Sequence, residues 1–436
     1  MQATVENISN LERRLTVAMP MKPIEDEISQ RLNRLARTAK MAGFRPGKVP
    51  YRMVVQQYGQ QVRQEVISGK VEETFSDAVH QNSLKVAGYP SIEPKPFNEG
   101  SENYEYIATF EVFPEVAIGD LSEISIERPK LKVAEADVDR TLEVLQKQRA
   151  TFEPADRGAE MGDSVTIEFS SEVDGKQIEN TNGQTVPLLL GEQGRLAGFD
   201  DNIIGAKAGD IRKFDLSFPA DFHNADLAGK AAKYEVKVIS VAVPKLPKID
   251  SDFARELGVE DGDVKKMRAE IKESLEQEVE KRVNAAIKTQ VMEGLVNAVE
   301  AEIPKSLVSI EIGRLMEGTL QNLQQRGLDP SALNIEPPMF EVQARHNVKL
   351  RLILVELVRI NELQAKPEQI RALIDGYAKS FEQPDEVVAW YYADQQRLNE
   401  PAATATEDNV VAWVMERAKV TDKKTSFDEL MGQKSA

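Results

Sequence analysis

From Met267 to Leu295 an apolar residue recurs at every fourth position: Met267, Ile271, Leu275, Val279, Val283, Ile287, Val291 and Leu295. The spacing predicts a helix, but each step of four turns through about 400°, so the stripe drifts around the axis. A helix built this way has to meet neighbours on several sides along its length. The rest of the chain from Asp252 onward reads as almost entirely helical. "EIPKS" breaks the first helix at Pro304, and a second runs to about Gln325. "LDPSALNIEPP" interrupts, "VKLRLILVELVRI" follows, and shorter helices centre on "DEVVAWYY" and "DNVVAWVMERA". Residues 246–436 are therefore expected to form an all-α domain.

Upstream the period changes. Val165, Ile167 and Phe169 alternate, as do Tyr234, Val236 and Val238, between Gly- and Asp-rich turns. Residues 151–245 read as a mostly antiparallel β domain with at most one short helix, and the prolines of "VPKLPKID" are expected to end its strand pairing. Residues 1–113 read as a small α+β domain. It has an opening strand with Leu11, Leu15 and Val17, a helix over "MKPIEDEISQRLNRLARTAK", and a second helical pair to about Val86. A closing strand puts Tyr104, Tyr106, Ala108, Phe110 and Val112 on one face. Residues 114–150 form a linker ending in a helix. The fold class expected from these elements is multidomain α+β, and a length of 436 residues favours two to four domains.

Composition removes most chemistries. Cysteine is absent, which excludes disulfides, thiolate metal sites and thiol catalysis. The three histidines, His80, His223 and His346, fall in three different regions, so neither a metal site nor a histidine triad is expected. "GEQGRLAG" matches neither a dinucleotide loop nor a P-loop. No cofactor is expected. The N-terminus lacks a secretory pattern and no apolar run is long enough to span a bilayer, so a soluble, cytoplasmic protein is expected.

Charge singles out one region. The chain carries a net −17, yet from Ile28 to Gln64 there are eight basic residues and no acidic one. The first 60 residues hold ten basic and five acidic side chains, leaving −22 on the remainder. A polyanion is expected to meet the first domain only. Inside the island, "GFRPGK" places Phe44 between glycines, where nothing local can bury it. A solvated helix face would intersperse glutamates among its arginines. An exposed ring beside Arg45 and Lys48 suits a surface that is part protein and part phosphate backbone, the ring filling a pocket and the cations meeting anions.

"GFRPGKVP" after a basic helix resembles the ribosome-docking signature of the bacterial trigger factor family. The likeness extends through "YIATFEVFPEV", "ADVD" and "LEVLQKQ", the β domain and the closing "KVTDKKTSFDELM". The resemblance implies that Phe44, Arg45 and Lys48 contact the large ribosomal subunit, touching a ribosomal protein and rRNA beside the exit tunnel. It implies nascent and unfolded polypeptides as clients, with no membrane and no DNA partner. The helical region would form a cradle with two projecting arms, and a homodimer off the ribosome would cover the same apolar surfaces.

The middle domain resembles an FKBP-type prolyl isomerase, with Phe169, Leu196, Phe199, Phe222 and Tyr234 as its apolar pocket. Several pocket positions depart from the family pattern: Glu168 and Ser171 in "EFSS", Gln193, Leu196 and Ala197 in "GEQGRLAGF", and Phe222 in place of a tyrosine. The resemblance implies an ATP-independent, ribosome-associated chaperone that also isomerises X–Pro bonds. The competing readings are an isomerase domain reduced to client binding, an enzyme whose helices merely deliver substrate, and a nucleic-acid-binding protein using the basic helix.

Overall fold

Alternating apolar residues build the first sheet. Strands β1 (Gln2–Asn7), β2 (Glu12–Pro20), β3 (Val86–Pro94) and β4 (Asn103–Val112) pair antiparallel in the order β1-β2-β4-β3. Leu15 faces Ala108 and Val17 faces Tyr106 across β2 and β4, and all four are buried. Helices α1 (Met21–Thr38) and α2 (Tyr51–Gln81) cover that face with Ile24, Leu32, Val54, Val62 and Val66. Burying each such aliphatic side chain contributes about 1.5–3 kcal/mol. Helix α2 runs unbroken for 31 residues where a helical pair was expected. Gly59 and Gly69 each cost about 1 kcal/mol inside a helix, but the buried face continues past both, and packing prevails. Strand β5 (Ser125–Lys130) follows.

The structure, a computed structural model, describes residues 2–39, 41, 44, 49–96, 102–173, 176–177, 184–192, 195–219, 227–328 and 335–432. It divides into two units, Met1–Arg128 with Asn284–Lys423, and Pro129–Val283 with Lys424–Ala436.

The second unit begins with helix α3 (Glu135–Gln148). A β domain follows, from strands β6 (Thr151–Pro154), β7 (Ser164–Val173), β8 (Lys176–Gln177), β9 (Gln184–Leu189), β10 (Ile211–Ser217) and β11 (Ala231–Lys245). The sheet runs β10-β11-β7-β8, with β9 also on β7 and β6 on the tail of β11. One short 3-10 turn, Asp200–Asn202, lies among its described residues. Pro244 does not end pairing as expected, since it sits opposite Phe152 of β6 and the strand stops one residue later. A proline removes only one donor, which an edge pairing tolerates.

Helix α4 (Ser251–Glu256) opens on Asp250, whose carboxylate caps the Asp252 and Phe253 N–H groups. The stripe of α5 (Val264–Ala298) then behaves as its spacing demands. Up to Val283 it packs on Val133, Val138, Leu142, Phe253 and Val259. Further on it lies against Ile124, so closely that a Cβ on Gly294 would stand 2.6 Å from the Ile124 Cγ2.

The first unit continues with α6 (Lys305–Gln325), α7 (Glu341–Asn361), α8 (Pro367–Ala378), α9 (Pro384–Tyr392) and α10 (Asn399–Met415). A strand the sequence reading did not anticipate, β12 (Lys419–Lys424), pairs with β5, and α11 (Phe427–Met431) follows it. "KVTDKK" carries no apolar alternation. The pairing comes from a partner about 300 residues away, with Lys419 N–H donating to Ile124 O at 2.8 Å. The N-terminus of α6 is capped from the first sheet. Glu111 accepts from the Lys305 N–H at 3.1 Å, the Ser306 N–H at 2.7 Å and the Ser306 hydroxyl at 2.6 Å.

Helices α6 and α7 share a buried charge. Glu311 is 1% exposed and accepts from Arg314 at 2.6 and 3.0 Å, Asn347 at 2.8 Å and Arg351 at 3.2 Å. The Arg314 hydrogen bonds, opposed by burial and helped by Asn347, hold its carboxyl at about 2 instead of 4.5. A depressed folded-state value means stability that is complete above about 4.5 and lost as pH falls toward 2. Glu311→Gln is expected to weaken the α6–α7 hairpin at neutral pH by about 2 kcal/mol. It should also flatten the loss of hydrogen-exchange protection that the parent shows between those two pH values. Equal pH profiles for parent and variant would exclude this role.

Candidate functional site

The basic island runs from the second half of α1 into the first half of α2, with Met41, Phe44, Val49 and Pro50 described between the two helices. Both ends of this connection are rooted in the core, Ala39 and Val49 being buried and Met41 packed against the same cluster. Between them the Phe44 N–H donates to Met41 O at 3.1 Å, and the Phe44 ring is 39% exposed. Arg45 and Lys48 lie outside the described residues. Behind the tip, Tyr51 and Met53 are exposed at the start of α2. Arg34, Arg37 and Arg52 are exposed and form no ion pair among the described residues. Arg31 is different: Glu27, one turn earlier, binds it at 2.6 Å, so the island is neutralised at its base. The described part of the island thus combines a partly exposed aromatic ring with three exposed arginines that form no ion pair among the described residues.

The second candidate is an aromatic box in the β domain. Phe199 meets Phe214 edge-on at 5.5 Å and 77°, and Tyr234 edge-on at 5.5 Å and 84°. Phe214 and Tyr234 stack at 5.7 Å and 17°, as their opposed positions in β10 and β11 require. Each such ring pair adds about 0.5–1.5 kcal/mol beyond its buried area. Phe199 and Tyr234 are 7% and 9% exposed, while Phe169 and Leu196 are half-buried against the same cluster. Four of the five expected pocket residues thus come together, and Phe222 lies outside the described residues. Phe214 was not singled out as a site residue; its place opposite Tyr234 depends on strand register, which the sequence does not print.

One ion pair shapes the loop that delivers Leu196 and Phe199. Arg195 forks onto Asp200 at 2.8 and 2.9 Å and also donates to Leu189 O. The Gly191 N–H adds a bond to Asp200 at 2.7 Å. Burial works to raise the Asp200 carboxyl, but Arg195 and Gly191 outweigh it and hold it below the usual range.

The first unit also holds a cavity of about 1880 Å³, lined among others by Arg13, Phe113, Lys349, Val355 and Glu356. Phe113 and Val355 are exposed there. Among the described residues no cluster of His, Asp or Glu could hold a metal ion. No described helix is long and apolar enough to cross a membrane.

Comparison with known proteins decides the family. The profile "Bacterial trigger factor protein (TF)" matches residues 1–145, and its C-terminal counterpart matches residues 263–416. A trigger factor of Methylobacillus flagellatus is 54% identical over 432 residues, covering 99% of this chain and 100% of that one. The chain belongs to the bacterial trigger factor family. Those of Nitrosospira multiformis and Chromobacterium violaceum are 48% and 46% identical, over 99% and 100% of this chain and the whole of each relative. The family is one of chaperones, and an FKBP-type peptidyl-prolyl cis-trans isomerase domain is present over residues 155–239. A solved structure from work on promiscuous substrate recognition by the trigger factor chaperone shares the fold. It has a TM-score of 0.50 at 19% identity, with 95% of this chain and 100% of that one covered.

The loop clamp gives a direct test. Asp200→Asn leaves the half-buried Arg195 without its anion and is expected to lower the thermal stability of the β domain by about 2 kcal/mol. Near-ultraviolet circular dichroism, which reports the packing of Phe199 and Tyr234, measures it. An unchanged melting curve would show that the clamp does not hold the loop.

Proposed function

We propose that this chaperone docks on the large ribosomal subunit through Phe44, Arg45 and Lys48, shields emerging polypeptides, and isomerises their X–Pro bonds in the aromatic box. The modules are residues 1–113 for docking, 114–150 as linker, 151–245 for isomerisation and 246–436 for shielding. The observation that carries the reading is the exposure of Phe44 between the buried Ala39 and Val49. A core residue would point the other way, and a merely solvated turn has no use for a phenylalanine. The cations behind it supply attraction to rRNA phosphates, and the acidic remainder confines that attraction to the tip. Docking there places the protein in the cytoplasm.

Shielding needs apolar surface without deep specificity. Val342, Val355 and Ile360 are exposed on α7, and Phe381, Trp390 and Tyr392 in or next to α9. Contacts of this kind are weak one by one and indifferent to sequence, which suits a partner that changes with every client. Two copies meeting off the ribosome would cover the same surfaces.

Isomerisation needs no nucleophile or metal. An X–Pro amide rotates over a barrier of roughly 18–20 kcal/mol, set by the resonance lost at the twisted midpoint. The twisted bond is less polar than the planar one, so a dry wall of rings favours it over the ground state. Phe169, Leu196, Phe199, Phe222 and Tyr234 are the residues proposed to form that wall.

Two experiments test the reading. Replacing Phe44, Arg45 and Lys48 together by Ala is expected to lower co-sedimentation with ribosomes at least tenfold, with folding unchanged; undiminished co-sedimentation sinks the docking role. In a protease-coupled assay on a prolyl peptide, the full chain should accelerate isomerisation. A rate equal to buffer sinks the enzymatic role.

A further inference from the structure

Among the rings of the β-domain box, Tyr234 alone carries a hydrogen-bonding group, and that group makes no hydrogen bond with any described residue. A buried tyrosine hydroxyl ordinarily finds a partner. Tyr106, in the first sheet, shows the ordinary case: its hydroxyl meets Thr74 Oγ at 3.0 Å and Val71 O at 3.3 Å. Among the described residues no side-chain polar atom is sealed from solvent without a partner, so the Tyr234 hydroxyl keeps access to solvent. Its ring is nearly buried while its oxygen has no partner among the described residues. A phenylalanine would make the same ring contacts with Phe199 and Phe214, so the hydroxyl contributes nothing to the packing seen there.

We infer that the Tyr234 hydroxyl donates a hydrogen bond to the prolyl nitrogen of a bound X–Pro segment as its amide twists. The inference rests on the isomerase reading above. Proline has no N–H, so an X–Pro bond offers the site only acceptors. In the planar amide the nitrogen lone pair is delocalised and accepts poorly. At the twisted midpoint it leaves conjugation and becomes basic, while the carbonyl oxygen loses the charge that resonance had placed on it. A donor aimed at the nitrogen is thus stronger in the transition state than in the ground state, the condition for raising kcat. Burial pushes the phenol above its ordinary value of 10, so the group stays a protonated donor throughout the neutral range. No bond to substrate is made or broken, and the proton remains on the phenol.

The test is Tyr234→Phe in the full-length chain, assayed beside the parent with a proline tetrapeptide in the protease-coupled format. Net removal of one such hydrogen bond is expected to lower kcat/KM roughly tenfold. The loss should fall on kcat with KM unchanged, and the melting temperature should match the parent. A merely structural role for Tyr234 would move the melting temperature instead. An active parent with a variant within twofold of it overturns the donor role alone, as does a loss confined to KM. A parent no faster than buffer overturns the isomerase reading and this inference with it.

Discussion

A carboxylate from residue 111 holds the amino end of a helix that starts at residue 305, and the geometry of the first unit depends on that contact. The first N–H groups of a helix have no intrahelical partner and carry the positive end of its dipole. Here Glu111 satisfies two of them and the Ser306 hydroxyl as well. Burial raises its carboxyl, yet the Ser306 and Lys305 donors outweigh burial and keep it below the usual range. The same Ser306 hydroxyl contacts Ala87 O at 2.7 Å, and Gly88, at φ +80°, lies so near that a Cβ there would stand 2.6 Å from Ser306 Cβ. Only glycine fits that approach. The exposed ion pairs, such as Arg128 with Asp422, are each worth at most about 1 kcal/mol and cannot substitute for this joint.

Residues close in sequence announced themselves, and residues brought together by folding did not. The drift of the α5 stripe and the alternation of β4, β7 and β11 were legible because period is a local property. The exposure of Phe44 followed from glycines on either side of it. By contrast β12 has no pattern of its own, and the buried Glu311 looks like any other acid among 72. Its role exists only because α7 brings Asn347 and Arg351 to it. Phe214 joined the box through register with Tyr234. The helical break expected within α2 failed for a related reason: two glycines signal weakness, but the sheet beneath them decides.

The charge pattern and the apolar surface divide the labour. At cellular ionic strength charges are screened beyond about 8 Å, so the acidic bulk of the chain does not cancel the positive charge gathered between Ile28 and Gln64. That bulk does keep the exposed rings of the helical region from drawing copies together without limit. A ring such as Trp390 is itself covered on one side by Arg397, 4.1 Å from its centre, which leaves a surface that is apolar to a client and charged to water.

The aromatic box separates the rings the domain needs from those at its edge. Phe199, Phe214 and Tyr234 hold one another, and the Arg195–Asp200 fork fixes the loop without help from Leu196 or Phe169. Phe169 and Leu196 lie half-buried against that cluster. Their identity therefore bears on what touches the box from outside and only weakly on folding. A core that supports itself leaves its rim free to vary, and the hydroxyl of the otherwise buried Tyr234 keeps access to solvent beside that rim.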